Sequence, residues 1–86
     1  MSHRATSRFW LCYRQLSTET QVLADRSYQL LLENPHHPSL RLKKVGDYWS
    51  VRVGLHFRAL AVESDGGLVW VWIGTHEEYI RLIAGV

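Results

Sequence analysis

Three residues in the second half of the chain, Arg52, Arg58 and His76, have the side-chain types that phosphoryl chemistry needs. An RNA phosphodiester is cut without a metal when its own 2′-hydroxyl attacks the phosphorus. That reaction requires a base, an acid for the leaving oxygen, and cations for the charge that develops. Guanidinium groups match phosphate oxygens two at a time, so Arg52 and Arg58 suit the cationic part. Imidazole exchanges a proton near neutral pH, so His76 suits the acid or the base. Arg41, Lys43 and Lys44 can follow neighbouring phosphates as substrate-binding groups, and Tyr79 can stack on a base or donate a proton. Each has a plainer alternative. A surface arginine serves as a solvated charge, lysines protect an edge strand from pairing, a histidine ahead of a helix caps it, and Tyr79, Glu77 and Glu78 serve the helix that carries them.

The pattern around Arg52 and Arg58 is what sets them apart. Leu40 to Val45 alternates apolar and basic residues, Gly46-Asp47 can turn, and Tyr48 to Val53 alternates again. Phe57 to Glu63 and Leu68 to Ile73 follow, joined through Asp65-Gly66, a dipeptide suited to a tight primed turn. With turns at Gly46-Asp47, Gly54-Leu55-His56 and Asp65-Gly66, one sheet face carries Leu40, Leu42, Trp49, Val51, Val53, Phe57, Ala59, Ala61, Leu68, Trp70 and Trp72. This is the expected core, each tryptophan of the last strand opposing an alanine. The other face collects Arg41, Lys43, Ser50, Arg52 and Arg58 and grades into Leu60, Val62, Val69, Val71 and Ile73. In this register Arg52 faces Arg41 on one side and Arg58 on the other. Like charges set opposite each other destabilise a sheet unless an anion sits between them, so the pattern predicts an anion site. Ile73 is expected opposite Arg58, which brings His76 to the same end of the sheet.

The remaining elements position this sheet. Phe9, Cys12, Tyr13 and Leu16 fall at helical spacing, with Thr6 or Ser7 as the cap, and predict a helix over about residues 7–15. Ser17-Thr18-Glu19-Thr20 opens a second helix over about 18–33, which stops before Pro35. Asn34 to Ser39 reads as a loop; His36 and His37 lie in it with no Cys or acidic partner at a ligand spacing, so no metal is expected there. Glu77 to Ile83 gives a short final helix. The expected fold class is α+β: two N-terminal helices, a four-stranded antiparallel meander sheet and a short C-terminal helix, in one domain over residues 1–86.

Bulk composition narrows the setting. Eighty-six residues suffice for one compact domain, and 47% apolar with 12% aromatic residues is the composition of a chain that buries a core. The single cysteine, Cys12, packs rather than pairs, which fits a reducing compartment and predicts a cytoplasmic protein. No stretch suits a membrane span and none reads as a signal peptide. The net charge of +2 is compatible with a polyanionic partner. No cofactor is expected.

Four blocks carry a family resemblance: Asn34-Pro35-His36-His37-Pro38-Ser39-Leu40, Ser50-Val51-Arg52-Val53-Gly54, His56-Phe57-Arg58-Ala59-Leu60, and Trp72-Ile73-Gly74-Thr75-His76-Glu77-Glu78-Tyr79. In this order they resemble the RelE/ParE toxin superfamily over about residues 17–84. The resemblance implies a RelE-like fold and a toxin of a type II toxin–antitoxin system. It further implies a ribosome-dependent endonuclease that cuts messenger RNA, inhibits translation and is held inactive by an antitoxin protein. In the family pattern Arg58 matches an arginine that contacts the scissile phosphate, Arg52 a basic residue on the preceding strand, His76 a catalytic Arg or His, and Tyr79, loosely, a C-terminal tyrosine. An antitoxin segment is expected to cover Leu60, Val62, Val69, Val71 and Ile73, shared with the C-terminal helix. Family members commonly open with a strand that joins the sheet, whereas residues 7–15 here read as helix. Members of similar fold also poison DNA gyrase, and a toxin-like binding protein without activity is a further alternative; the retained Arg52, Arg58 and His76 favour RNA.

Overall fold

The computed structural model describes residues 2–85. Along the chain run β1 (His3–Ala5), α1 (Ser7–Arg14), α2 (Thr18–Glu33), a 3-10 turn (Pro38–Leu40), β2 (Lys43–Val45), β3 (Tyr48–Val53), β4 (Phe57–Ser64), β5 (Gly67–Thr75) and α3 (His76–Ile83). The strands form one sheet in the order β1-β5-β4-β3-β2. β1 runs parallel to β5, with His3, Arg4 and Ala5 opposite Leu68, Val69 and Trp70. The sheet is therefore five-stranded and mixed, which corrects the four-stranded antiparallel expectation. Three residues are too few for alternation to announce a strand, and β1 is held by pairing with the edge of β5.

Side-chain caps start the helices. Thr6 accepts the Phe9 N–H at 3.1 Å to open α1, and Ser17 accepts the Thr20 N–H at 3.2 Å to open α2. Thr75 opens α3 with a full capping box: its hydroxyl accepts the Glu78 N–H at 3.1 Å, and Glu78 accepts the Thr75 N–H at 3.0 Å. The N–H bond from Thr75 holds the Glu78 carboxylate below the usual range. Asp65 and Gly66 both take positive φ, 51° and 77°, as a primed turn demands.

The meander keeps the predicted pairing through most of its length. Val45 opposes Tyr48, Val53 opposes Phe57, and Ser64 opposes Gly67. Two departures matter for the site. First, the Leu40–Val45 stretch is a strand only from Lys43. Leu40 ends the 3-10 turn and is 1% exposed, while Arg41 takes the left-handed conformation at φ 47°, ψ 46°. The buried Leu40 side chain fixes the chain's entry into the sheet in place of ladder bonds. Second, a bulge interrupts β4 and β5 between Leu60 and Ala61: Ala61 opposes Trp70, but Leu60 opposes Trp72. Val71 is the extra residue, and every later side chain of β5 changes face. Trp72 leaves the expected core for the opposite face, Ile73 joins the core opposite Ala59, and Arg58 opposes Gly74 rather than Ile73.

Two apolar clusters result. Leu31, Leu40, Val51, Val53, Ala59, Ala61, Leu68, Trp70 and Ile73 form the larger one, beneath α1 and α2. Leu60, Trp72 and Tyr79 form the smaller one, beneath α3. The second exists because the bulge delivers Trp72 to that side. Trp70 also hydrogen-bonds from Nε1 to Nδ1 of His3 at 3.2 Å, with the two rings stacked 6.2 Å apart, which ties β1 to the core. Among the described residues no helix is long and apolar enough to cross a membrane.

Candidate functional site

The three arginines and the histidine meet at one end of the sheet. A cleft of about 320 Å³ is lined by Arg41, Arg52, Leu55, Phe57, Arg58 and His76. The pairing of Arg52 with Arg58 across β3 and β4 is the one the alternation predicts. Arg41 reaches the same cleft from its left-handed position after the 3-10 turn, not from a strand opposite Arg52. Among the described residues no carboxylate lines the cleft.

Arg58 is its innermost group, only 8% exposed. Its Nη1 donates to the hydroxyl of Ser50 at 3.3 Å, and its guanidinium lies 5.2 Å from the centre of the Tyr79 ring. Ser50 is fully buried and neighbours Arg58 diagonally across the strands. Burial pushes the Arg58 guanidinium below its ordinary value; Arg52 and Arg41 push the same way, and Tyr79 opposes them. A guanidinium has five N–H donors, and among the described residues Arg58 pairs with Ser50 alone. The other donors open to a cleft where every charged neighbour is a cation. Such a group is completed by an anion.

Secondary structure holds the rim. The hairpin between β3 and β4 turns at Gly54, whose φ is +62° and over which Leu23 of α2 packs; a Cβ there would sit 3.0 Å from Leu23 Cδ1. The other side of the turn is tied to α3, because the His76 N–H donates to the carbonyl of His56 at 2.8 Å. His76 is thus the first residue of α3, not its cap, and its exposed ring stands at the cleft mouth 5.7 Å from the Tyr79 ring. Gly74, opposite Arg58, leaves room that a side chain would take from the Trp72 indole and the Glu78 carboxylate.

Two expected substrate-binding residues stand elsewhere than the sequence suggests. Lys44 pairs with Trp49 at the far edge of the sheet and makes an ion pair with Glu63 at 3.2 Å, away from the cleft. Tyr79 is 1% exposed and lies under Arg58, so its ring is a platform for the guanidinium and is closed to a stacking base. Its hydroxyl is buried without a hydrogen-bond partner among the described residues. Lys43, opposite Ser50, is exposed on the same face as Arg52 and Arg58. Sequence reasoning passed over Ser50 as a partner of Arg58, although the two-residue period puts both on one face one pair apart. It also passed over Leu55, which no periodicity marks. Among the described residues no cluster of three His, Cys, Asp or Glu side chains is placed to hold a metal ion.

This geometry coincides with a sequence relationship. Residues 21–81 match the family model of the ParE-like toxin domain. The chain belongs to that family and is a toxin of the RelE/ParE superfamily. Solved structures agree on the fold. YafQ from E. coli strain BL21(DE3) superposes with a TM-score of 0.73 at 13% identity, covering 91% of this chain and 96% of that one. The RelB–RelE antitoxin–toxin complex from Methanococcus jannaschii gives 0.66 at 12% identity, covering 92% and 96%. The YoeB/ParE toxin from Agrobacterium tumefaciens gives 0.65 at 15% identity, covering 88% and 99%. No curated protein sequence matches the chain.

Proposed function

We propose that this toxin is a metal-independent endoribonuclease that cuts messenger RNA on the ribosome and so inhibits translation. The observation that carries the reading is Arg58, a buried guanidinium with free donors in a cleft whose charged groups are all cationic. In this reading Arg58 and Arg52 hold the scissile phosphate and stabilise the charge that builds on its oxygens. His76 at the mouth exchanges the proton, with the 2′-hydroxyl of the substrate as nucleophile. Arg41 and Lys43 take flanking phosphates. Lys44 and Tyr79 have no direct part, since one is paired at the far edge and the other is covered.

The partner is an antitoxin protein. Relatives of the fold include a toxin solved in complex with its antitoxin. In this chain Leu60 is covered by α3 and Ile73 lies in the main core, so the apolar surface left for such a partner narrows to Val62, Val69 and Val71, all half-buried, with Ile80 and Leu82 exposed on α3. The cytoplasm, where transcripts and ribosomes meet, is the compartment this activity requires.

Induced expression tests the reading. The wild-type chain is expected to arrest growth and to leave transcripts cut within codons, and Arg58→Ala to relieve both. Unchanged toxicity of Arg58→Ala would overturn the catalytic assignment. A DNA-damage response with intact transcripts would instead select the non-enzymatic reading, in which the same fold inhibits DNA gyrase.

A further inference from the structure

The arginines account for four of the six cleft residues together with His76; Leu55 and Phe57 account for the other two, and their side chains have no donor for an anion. Leu55 is 74% exposed, more than any other large hydrophobic side chain described. Exposed leucines are ordinarily unremarkable, but this one is held out by structure on both sides. Gly54 before it is locked in a positive-φ turn under Leu23, and the carbonyl of His56 after it is bonded to the first N–H of α3. The tether places an apolar side chain over the lip of a cationic cleft. The cleft's 320 Å³ matches the lower end of the range for small organic ligands, about 300–1,000 Å³, and exceeds what one phosphate group fills. Tyr79, whose ring lies against the Arg58 guanidinium, is covered and offers no face to a base.

We propose that the cleft takes a whole nucleotide unit, its phosphate on Arg52 and Arg58 and its base against Leu55 and the exposed side of Phe57, with Leu55 determining specificity. The inference rests on the reading of the arginine cleft as an RNA site and extends it to the group that selects the substrate. A base is planar, uncharged and partly apolar, so it covers the leucine while the arginines hold the phosphate. Inorganic phosphate, or a phosphate carried on a protein side chain, uses the arginines alone and leaves Leu55 in water.

The full chain and its Leu55→Ser variant are titrated separately with adenosine monophosphate and with inorganic phosphate, following backbone amide chemical shifts by NMR. Because Leu55 is on the surface, the variant is expected to fold as the wild type does, and its unperturbed spectrum away from the hairpin checks this. Adenosine monophosphate is expected to bind the wild type more tightly than phosphate does. Leu55→Ser is expected to weaken it about tenfold, the factor that corresponds to about 1.4 kcal/mol of lost apolar contact, and to leave phosphate binding unchanged. Equal affinity of the two ligands for the wild type, or unchanged nucleotide binding by Leu55→Ser, would overturn the proposal. If the nucleotide result holds while cellular transcripts stay intact, the ribonuclease reading falls and the nucleotide cleft stands. If Leu55→Ser binds the nucleotide as the wild type does and cuts transcripts at the same positions, the ribonuclease reading stands and this inference falls.

Discussion

Under α1 and α2 the sheet offers Val51, Val53, Ala59, Ala61 and Trp70, all at or below 6% exposure and all apolar. On its other side, at similar depth, it offers Arg58 at 8%, held by a neutral serine and an aromatic ring and flanked by two more arginines. The first arrangement lowers the free energy of folding with every contact. The second opposes it, because a charge held without a counter-ion is solvated less well than in water, and the like charges beside it add to that cost. The contrast separates residues that build the fold from residues that the proposed function assigns to a ligand. It also explains the bulge at Val71, which sends Ile73 to the first face and Trp72 to the second, and leaves Gly74 as the neighbour of Arg58.

Substitutions on the two faces should therefore move stability in opposite directions. The largest effect is expected from Trp70→Ala, which opens a cavity beside Ala61 and removes the donor to His3; a loss of about 3–5 kcal/mol is expected in denaturant unfolding. Arg41→Gly should act the other way. It relieves a left-handed backbone position that costs a non-glycine residue roughly 1–2 kcal/mol, against the added freedom of glycine in the unfolded chain. A net gain of up to about 1 kcal/mol is expected in thermal unfolding, together with weaker RNA binding. A loss of stability there would mean that Arg41 serves the fold. The smallest effect is a pH dependence on the core side. Partial burial pushes the His3 imidazole below its ordinary value, and its Nδ1 accepts from Trp70 only when unprotonated. The unfolded chain takes up this proton near pH ~6.5. The stability from neutral His3 is thus fully present above that pH and is lost as pH falls toward the lowered folded value. The slope of melting temperature against pH over that window is expected to be shallower in His3→Leu than in the wild type.

Much of this was legible in the sequence where a pattern repeats. α2 spans the expected residues, the hairpin turns fall at the expected glycines, and the opposition of Arg52 and Arg58 follows from alternation about a three-residue turn. Alternation fails where the backbone departs from it. The bulge at Val71 leaves no mark in a run of uniformly apolar residues, so Trp72 and Ile73 exchange faces without warning. β1 is three residues long and exists through its pairing with β5. Tyr79 looks like a ligand-facing residue on a short helix, but α3 docks with that side inward and turns the ring into a support for Arg58. Residues 7–15 read as helix where such toxins open with a strand, and the strand is found ahead of that helix, at His3–Ala5, where no expectation placed one.

The central claim is that Arg58 is kept for an RNA phosphate at the expense of the fold. Arg58→Met fills the same volume without the charge, and two quantities measured on it decide the matter: its unfolding free energy and the map of transcript ends after induction. Unfolding stability equal to the wild type or about 1–4 kcal/mol higher, with the transcript cuts gone, is the expected result. Cuts that persist at wild-type positions and frequency in Arg58→Met would contradict the account.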